Sequence, residues 1–186
     1  MEGRGDRTKA PLSLQDRRRR IDVKAKAAPS WCFWGLYGHS CTQETLREAS
    51  HLAKANHGAP GLDGVTCEAI AASGVGAFLA PMPDALGTRT YHPRRLRPKA
   101  TPKEGGKGIR RLSMPTIRAR VVQGALQLIL EPLVAADCQP GSYGSRPQRS
   151  AHDAVQRVAE AMVQDKPRVL DVEFQAYFAK SQHPLV

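Results

Sequence analysis

Asp171 and Glu173 stand two residues apart in Arg168-Val-Leu-Asp-Val-Glu-Phe174, a run that is otherwise mostly apolar. The run has the form of a buried strand, and burying a carboxylate is costly unless it is paired or binds a metal. An acid pair at a strand end, followed by the aromatic pair Tyr177-Phe178, is a candidate divalent-metal site for phosphoryl transfer. Asp171 and Glu173 are thus the candidate catalytic residues. Only three residues follow His183, so the further carboxylates that such a site needs are not expected within this chain.

Cations are the second chemical resource. The 186 residues include 28 Lys and Arg against 17 Asp and Glu, a net charge of +11, and a polyanion is the natural partner. The excess is concentrated: residues 1–30 carry nine cations and four acids, residues 91–120 carry ten and one, and the rest nearly cancels. In the second segment Tyr91, prolines and glycines are interleaved with Arg94, Arg95, Arg97, Lys99, Lys103, Lys107, Arg110, Arg111, Arg118 and Arg120. That mixture points to a shaped nucleic-acid-binding surface rather than a tail. Arg118 and Arg120 fall at the start of an expected helix, the wrong end for cations given the helix dipole. Either a phosphate or carboxylate neighbour or open solvent must accommodate them. For Arg17-Arg-Arg-Arg20 a solvated tail and a polyanion contact stand as equal alternatives. The Gly58–Gly64 loop reads by itself as a plain turn, although its N–H groups could approach a phosphate. His152 and His183 read as hydrogen-bonded framework groups.

Other classes are disfavoured. Cys32, Cys41, Cys67 and Cys138 have no Cys-x-x-Cys spacing and no paired histidines nearby. They read as reduced, mostly buried thiols of a cytoplasmic protein, not as a zinc site or disulfide frame. The N-terminus lacks the apolar stretch of a signal peptide and no window approaches eighteen apolar residues, so neither secretion nor membrane spanning is expected.

The elements that must position these groups follow from periodicity and punctuation. Residues 1–29 are polar, basic and poor in large apolar groups, and read as a flexible tail. Ser40-x-x-Gln43 has the capping-box form and opens a helix to about Asn56, with Leu46, Ala49 and Ala53 on one face and Gly58 as the stop. Residues 65–90 read as a short helix or two, broken by Pro81 and Pro83. Residues 91–116 read as irregular or as a hairpin turning at Glu104-Gly-Gly. Ile117, Val121, Ala125, Leu128 and Leu133 recur at helical spacing over 117–136, with Pro132 expected to kink or end that helix. Ser150-x-x-Asp153 starts another helix with Ala154, Val155, Val158 and Met162 inward, and the strand 168–174 closes the series. The class is α+β, helix-rich with a short β hairpin.

Several motifs, in one order, resemble the reverse transcriptases encoded by group II introns. Asn56-His-Gly-Ala-Pro-Gly-Leu-Asp-Gly-Val-Thr66 is similar to that family's N-terminal motif, and Pro29-Ser-Trp-Cys-Phe-Trp-Gly-Leu-Tyr-Gly-His39 to the leader of one subgroup. Tyr91-His-Pro, Pro102-Lys103, Gly105-Gly106-Lys107 and Leu112-Ser-Met-Pro-Thr-Ile-Arg-Ala-Arg-Val-Val-Gln-Gly-Ala-Leu126 follow, then Glu131-Pro132 and Gly141-Ser-Tyr-Gly-Ser-Arg-Pro-Gln-Arg-Ser-Ala-His152. Asp171, Tyr177, Phe178 and His183 match the first catalytic motif, with Glu173 where the family has its metal-binding aspartate. The resemblance implies a partial right-hand polymerase, with fingers over 30–166 and the first palm strand within 167–186. It implies RNA-directed DNA synthesis with Mg²⁺ and deoxynucleotides, and binding of intron RNA, template and RNA/DNA hybrid to assist splicing. Lys103 and Arg110 match positions that clamp the triphosphate, and Tyr177 the position beside the nucleotide sugar.

The departures weigh on the catalytic expectation. Glu173 moves its carboxylate about one C–C bond outward, and a misplacement on the order of 1 Å can cost about a hundredfold in rate. Ala119 and Ala179 stand where the family has acids, Ser145 where it has an aromatic residue, and Thr101 where it has isoleucine. The chain by itself is therefore expected to bind RNA and to be catalytically inactive. The alternatives are a basic RNA-binding module without chemistry, or the product of a decaying gene.

Overall fold

A computed structural model describes residues 12–102, 108–166 and 168–174. These fall into two units divided between Cys138 and Gln139. In the first, the central element is α7 (Ile117–Asp137), whose Ile117, Val121, Ala125, Leu128 and Ile129 are buried. Thr116 caps it, its hydroxyl accepting the Ala119 N–H at 3.2 Å. Against this face lie α3 (Gln43–Ala55), α1 (Leu14–Ala27) and the short α2 (Leu36–Ser40). The expected stripe of α3 is the observed one: Leu46, Ala49 and Ala53 are buried. Gly124 of α7 permits that approach, since a Cβ there would meet Ala49 Cβ at 3.3 Å. Each buried Leu or Ile contributes about 1.5–3 kcal/mol relative to exposure.

Residues 65–90 form three short helices rather than one or two: α4 (Cys67–Ser73), α5 (Val75–Leu79) and α6 (Met82–Gly87). They insert Ile70, Leu79, Met82 and Leu86 into the same core. The hairpin is present as β1 (Arg97–Pro102) and β2 (Ile109–Met114), antiparallel with Arg97 opposite Met114 and Pro102 opposite Ile109. The residues of its expected turn, 104–106, lie outside the described ones. The helix-rich α+β class is observed.

Several expectations are corrected. Residues 14–27 are helical, not a flexible tail: Leu14, Ile21 and Ala25 form a narrow buried stripe, and Ser13 caps the start by accepting the Asp16 N–H. Three apolar groups at helical spacing are enough when a long neighbour offers a surface. The cap of α3 is Thr42 rather than Ser40, because Ser40 ends α2, buried, with its hydroxyl donating to the Tyr37 carbonyl at 2.6 Å. Pro132 does not end α7, which continues to Asp137 with the proline ring itself buried. The burial compensates for the lost N–H bond. Among the cysteines, Cys32 is exposed and the other three are half-buried, so they are not mostly buried thiols. By length and composition alone α7 is long and apolar enough to cross a membrane; its apolar face is occupied by α1 and α3.

The second unit holds α8 (Ala151–Val163), which starts where expected and is opened by a capping box between Ser150 and Asp153. Its apolar face is not inward. Ala154 is half-buried, while Val155, Val158 and Met162 are exposed, because no apolar element among the described residues of that unit lies over them. Residues 168–174 are not a buried strand either; they lack regular structure and are exposed throughout. A strand requires a partner for its N–H and C=O groups, and among the described residues the one sheet is β1–β2.

Candidate nucleic-acid interface

The hairpin and its approaches carry most of the predicted binding residues. Alternation along a strand puts Arg97 and Lys99 on one face, level with Met114 and Leu112, and Arg111 on the other, level with Ala100. All three are exposed, as are Arg94 and Arg95 in the segment leading to β1. Arg110 occupies the register position opposite Thr101; its side chain is not among those described. Lys103, Lys107 and Tyr177 lie outside the described residues. Pro98 and Pro102 share one parity, so both missing donors fall on the same edge of β1. With the ladder intact, that is the edge away from β2, where proline is tolerated and blocks further strand pairing.

No Asp or Glu occurs in 88–102 or in 108–120. The ion pairs found among the described residues lie elsewhere: Arg17 with Glu44, Arg18 with Glu131, Lys26 with Asp22 and Arg157 with Glu160. Within Arg17–Arg20, therefore, two arginines fasten α1 to α3 and α7, which neither a solvated tail nor a polyanion contact had anticipated.

Arg118 and Arg120, two positions apart at the start of α7, part company in three dimensions. Arg120 donates to the Ala59 carbonyl at 2.5 Å, and its guanidinium lies against Gly58. Arg97 reaches the neighbouring Pro60 carbonyl at 3.4 Å. A Cβ on Gly61 would come within 2.6 Å of Thr116 Cα. The glycine-rich loop is thus packed onto the start of α7, and its glycines serve close backbone approach. Arg118 instead lies over the Phe78 ring, 5.5 Å from its centroid. It lines a cleft of about 710 Å³ with Tyr91, His92 and Arg94. Burial pushes the Tyr91 hydroxyl above its ordinary pKa, with Arg118 acting in the opposite sense. Sequence reasoning missed this cleft; nothing in the chain's local pattern brings Phe78 to Arg118.

Asp171 and Glu173 are both exposed on the irregular 168–174 segment. Among the described residues no group of three or more His, Cys, Asp or Glu is placed to hold a metal ion. The described residues do not form a divalent-metal site. His152 is exposed near the start of α8, and Phe178, Ala179 and His183 lie outside the described residues.

The chain is 35% identical over 74 residues to the Group II intron-encoded protein LtrA of Lactococcus lactis subsp. cremoris, covering 40% of this chain and 12% of LtrA. The chain is similar in part to a group II intron-encoded protein. It is also 30% identical over 181 residues to Protein YkfC of Escherichia coli strain K12, which covers 94% of this chain and 47% of YkfC. The chain thus spans about half the length of YkfC and less of LtrA. No protein-family model matches it.

Proposed function

We propose that this chain is the RNA-engaging region of a group II intron-type reverse transcriptase/maturase, corresponding to the fingers and the beginning of the palm. It holds RNA through the hairpin 97–114 and does not polymerise by itself. The observation that carries this reading is the exposed hairpin whose Arg97, Lys99 and Arg111 have no ion-pair partner among the described residues. The partial similarity to LtrA supports the same class. Unneutralised cations at a fixed strand spacing release counterions when they meet a phosphate chain, so binding weakens steeply with salt.

The test is RNA binding measured across a salt series. Lys99→Gln with Arg111→Gln is expected to weaken binding and to reduce the slope of log affinity against log salt by about 0.7–0.9 for each phosphate contact removed. An unchanged slope rejects the hairpin as the interface. In a primer-extension assay with RNA template, deoxynucleotides and Mg²⁺, incorporation is expected to stay at the level of a Glu173→Ala control. Deoxynucleotides and Mg²⁺ belong, on this reading, to a complete polymerase.

A further inference from the structure

We infer that the cleft bounded by α4–α6, the segment before β1 and the start of α7 is a phosphate-ester site, with Arg94 and Arg118 as its anion-binding groups. Its volume of about 710 Å³ is that of a site for a nucleotide-sized ligand. Ile70 and Phe78 line it as an apolar floor, while Thr90, Tyr91 and His92 add polar groups. Among the described residues neither arginine has a carboxylate partner. Arg118 lies over the Phe78 ring, 5.5 Å from its centroid, and a guanidinium can donate two parallel hydrogen bonds to one phosphate.

The cleft is lined by two arginines against one carboxylate, Asp63. Thr116, Ile117 and Arg118, the first residues of α7, line the same cleft. The positive end of the helix dipole thus adds to two guanidinium charges, and an anion relieves that repulsion. Tyr91 stays neutral, its hydroxyl a donor rather than a competing charge. Asp63 also lines the cleft, with Oδ1 accepting the Val65 N–H at 3.3 Å. A carboxylate there suits a ligand that carries hydroxyl groups as well as phosphate. The shared chemistry is the phosphate ester of a ribonucleotide, which either a free nucleotide or an RNA backbone presents. The site is distinct from the exposed hairpin faces and does not depend on them.

The experiment uses the whole chain with three probes: inorganic phosphate, adenosine 5′-monophosphate and a short oligouridylate. Binding is measured by calorimetry for the wild type, for Arg94→Gln with Arg118→Gln, for the cleft-filling Ala69→Phe, and for Lys99→Gln with Arg111→Gln on the hairpin. Losing two charge-assisted contacts is expected to weaken the bound probe about tenfold or more, and Ala69→Phe to do the same with every charge intact. The hairpin variant keeps monophosphate binding, which separates this site from the hairpin reading. Loss of monophosphate binding in the cleft variants identifies a free nucleotide; loss of oligouridylate binding alone identifies RNA. A wild-type measurement guards against misfolded variants: phenylglyoxal modification of Arg94 and Arg118 should be slowed by whichever probe binds. Equal binding by wild type and cleft variants, or no protection of either arginine by any probe, overturns the assignment.

Discussion

Gly61 and Gly76 illustrate how differently one residue type is constrained at two positions. At Gly61 an added methyl meets Thr116 Cα at 2.6 Å and Thr116 N at 2.8 Å, both backbone atoms that start a long helix and cannot give way. Gly61→Ala is expected to cost about 1–3 kcal/mol, as overpacking does, read from urea midpoints. Gly76 lies inside α5 with nothing within 4 Å of its Cβ position. Gly76→Ala there should stabilise by about 0.5–1 kcal/mol. Asp153 supplies a pH effect. The Ser150 hydroxyl and backbone N–H both donate to its carboxylate and hold its pKa below the usual aspartate value. A depressed folded pKa means the stabilisation is present above the unfolded value and is lost as pH falls through the folded one. Helicity of α8 should therefore fray in acid, and Ser150→Ala, which keeps the backbone N–H bond but loses the hydroxyl, should reduce the pH dependence seen by circular dichroism. Tyr91 behaves oppositely. Its raised pKa favours the neutral form in the folded state, so that contribution is lost as pH rises through the folded value. Its phenolate absorbance should appear later than that of free tyrosine, and later still in Arg118→Gln, which removes the opposing charge.

Among the elements, α1 carries the clearest structural surprise and an easy test. Arg17-Arg-Arg-Arg20 would be cut at once by trypsin if it lay in a tail. Held in a helix, with Arg17 bonded to Glu44 and Arg18 to Glu131, it should resist cleavage under native conditions. Ser13→Ala, which deletes the cap, should cost about 0.5–2 kcal/mol and restore cleavage. The contrast with α8 is one of neighbours rather than of pattern. Both helices carry an apolar stripe; α1 lies against the long apolar α7 and its Ile21 is buried, while among the described residues of its unit α8 has no such partner and Val155 is 69% exposed. The hairpin follows a third logic: its two prolines guard an edge, and its cations remain free of local acids.

At the scale of the whole molecule, the core of the first unit draws on residues from α1 to α7, spread over more than a hundred positions. Leu46, fully buried where α3 meets α7, is expected to lose about 2–5 kcal/mol on truncation to alanine. Val155→Ala should change stability by no more than about 0.5 kcal/mol, the surface value. A cooperative thermal melt that Leu46→Ala shifts and Val155→Ala leaves in place would confirm that division. It would also remove the reading of the chain as an unfolding remnant of a gene.

The amino-acid order alone determined whatever depends on neighbours a few positions apart. The buried faces of α3 and α7, the start of α8 at Ser150, the hairpin and the basic stretch with its single acid were all legible, because helix and strand periods and local charge are properties of short windows. The tertiary structure decided the rest. Arg120 bonds to a carbonyl 61 residues away and Arg18 to a carboxylate 113 away. Arg118 meets Phe78 only after α6 and the hairpin have turned the chain back. Whether an apolar stripe is buried, as in α1, or left open, as in α8, and whether Asp171 and Glu173 lie in a strand, depends on which partner stands opposite. That partner is chosen by packing across the fold, not by spacing along the chain.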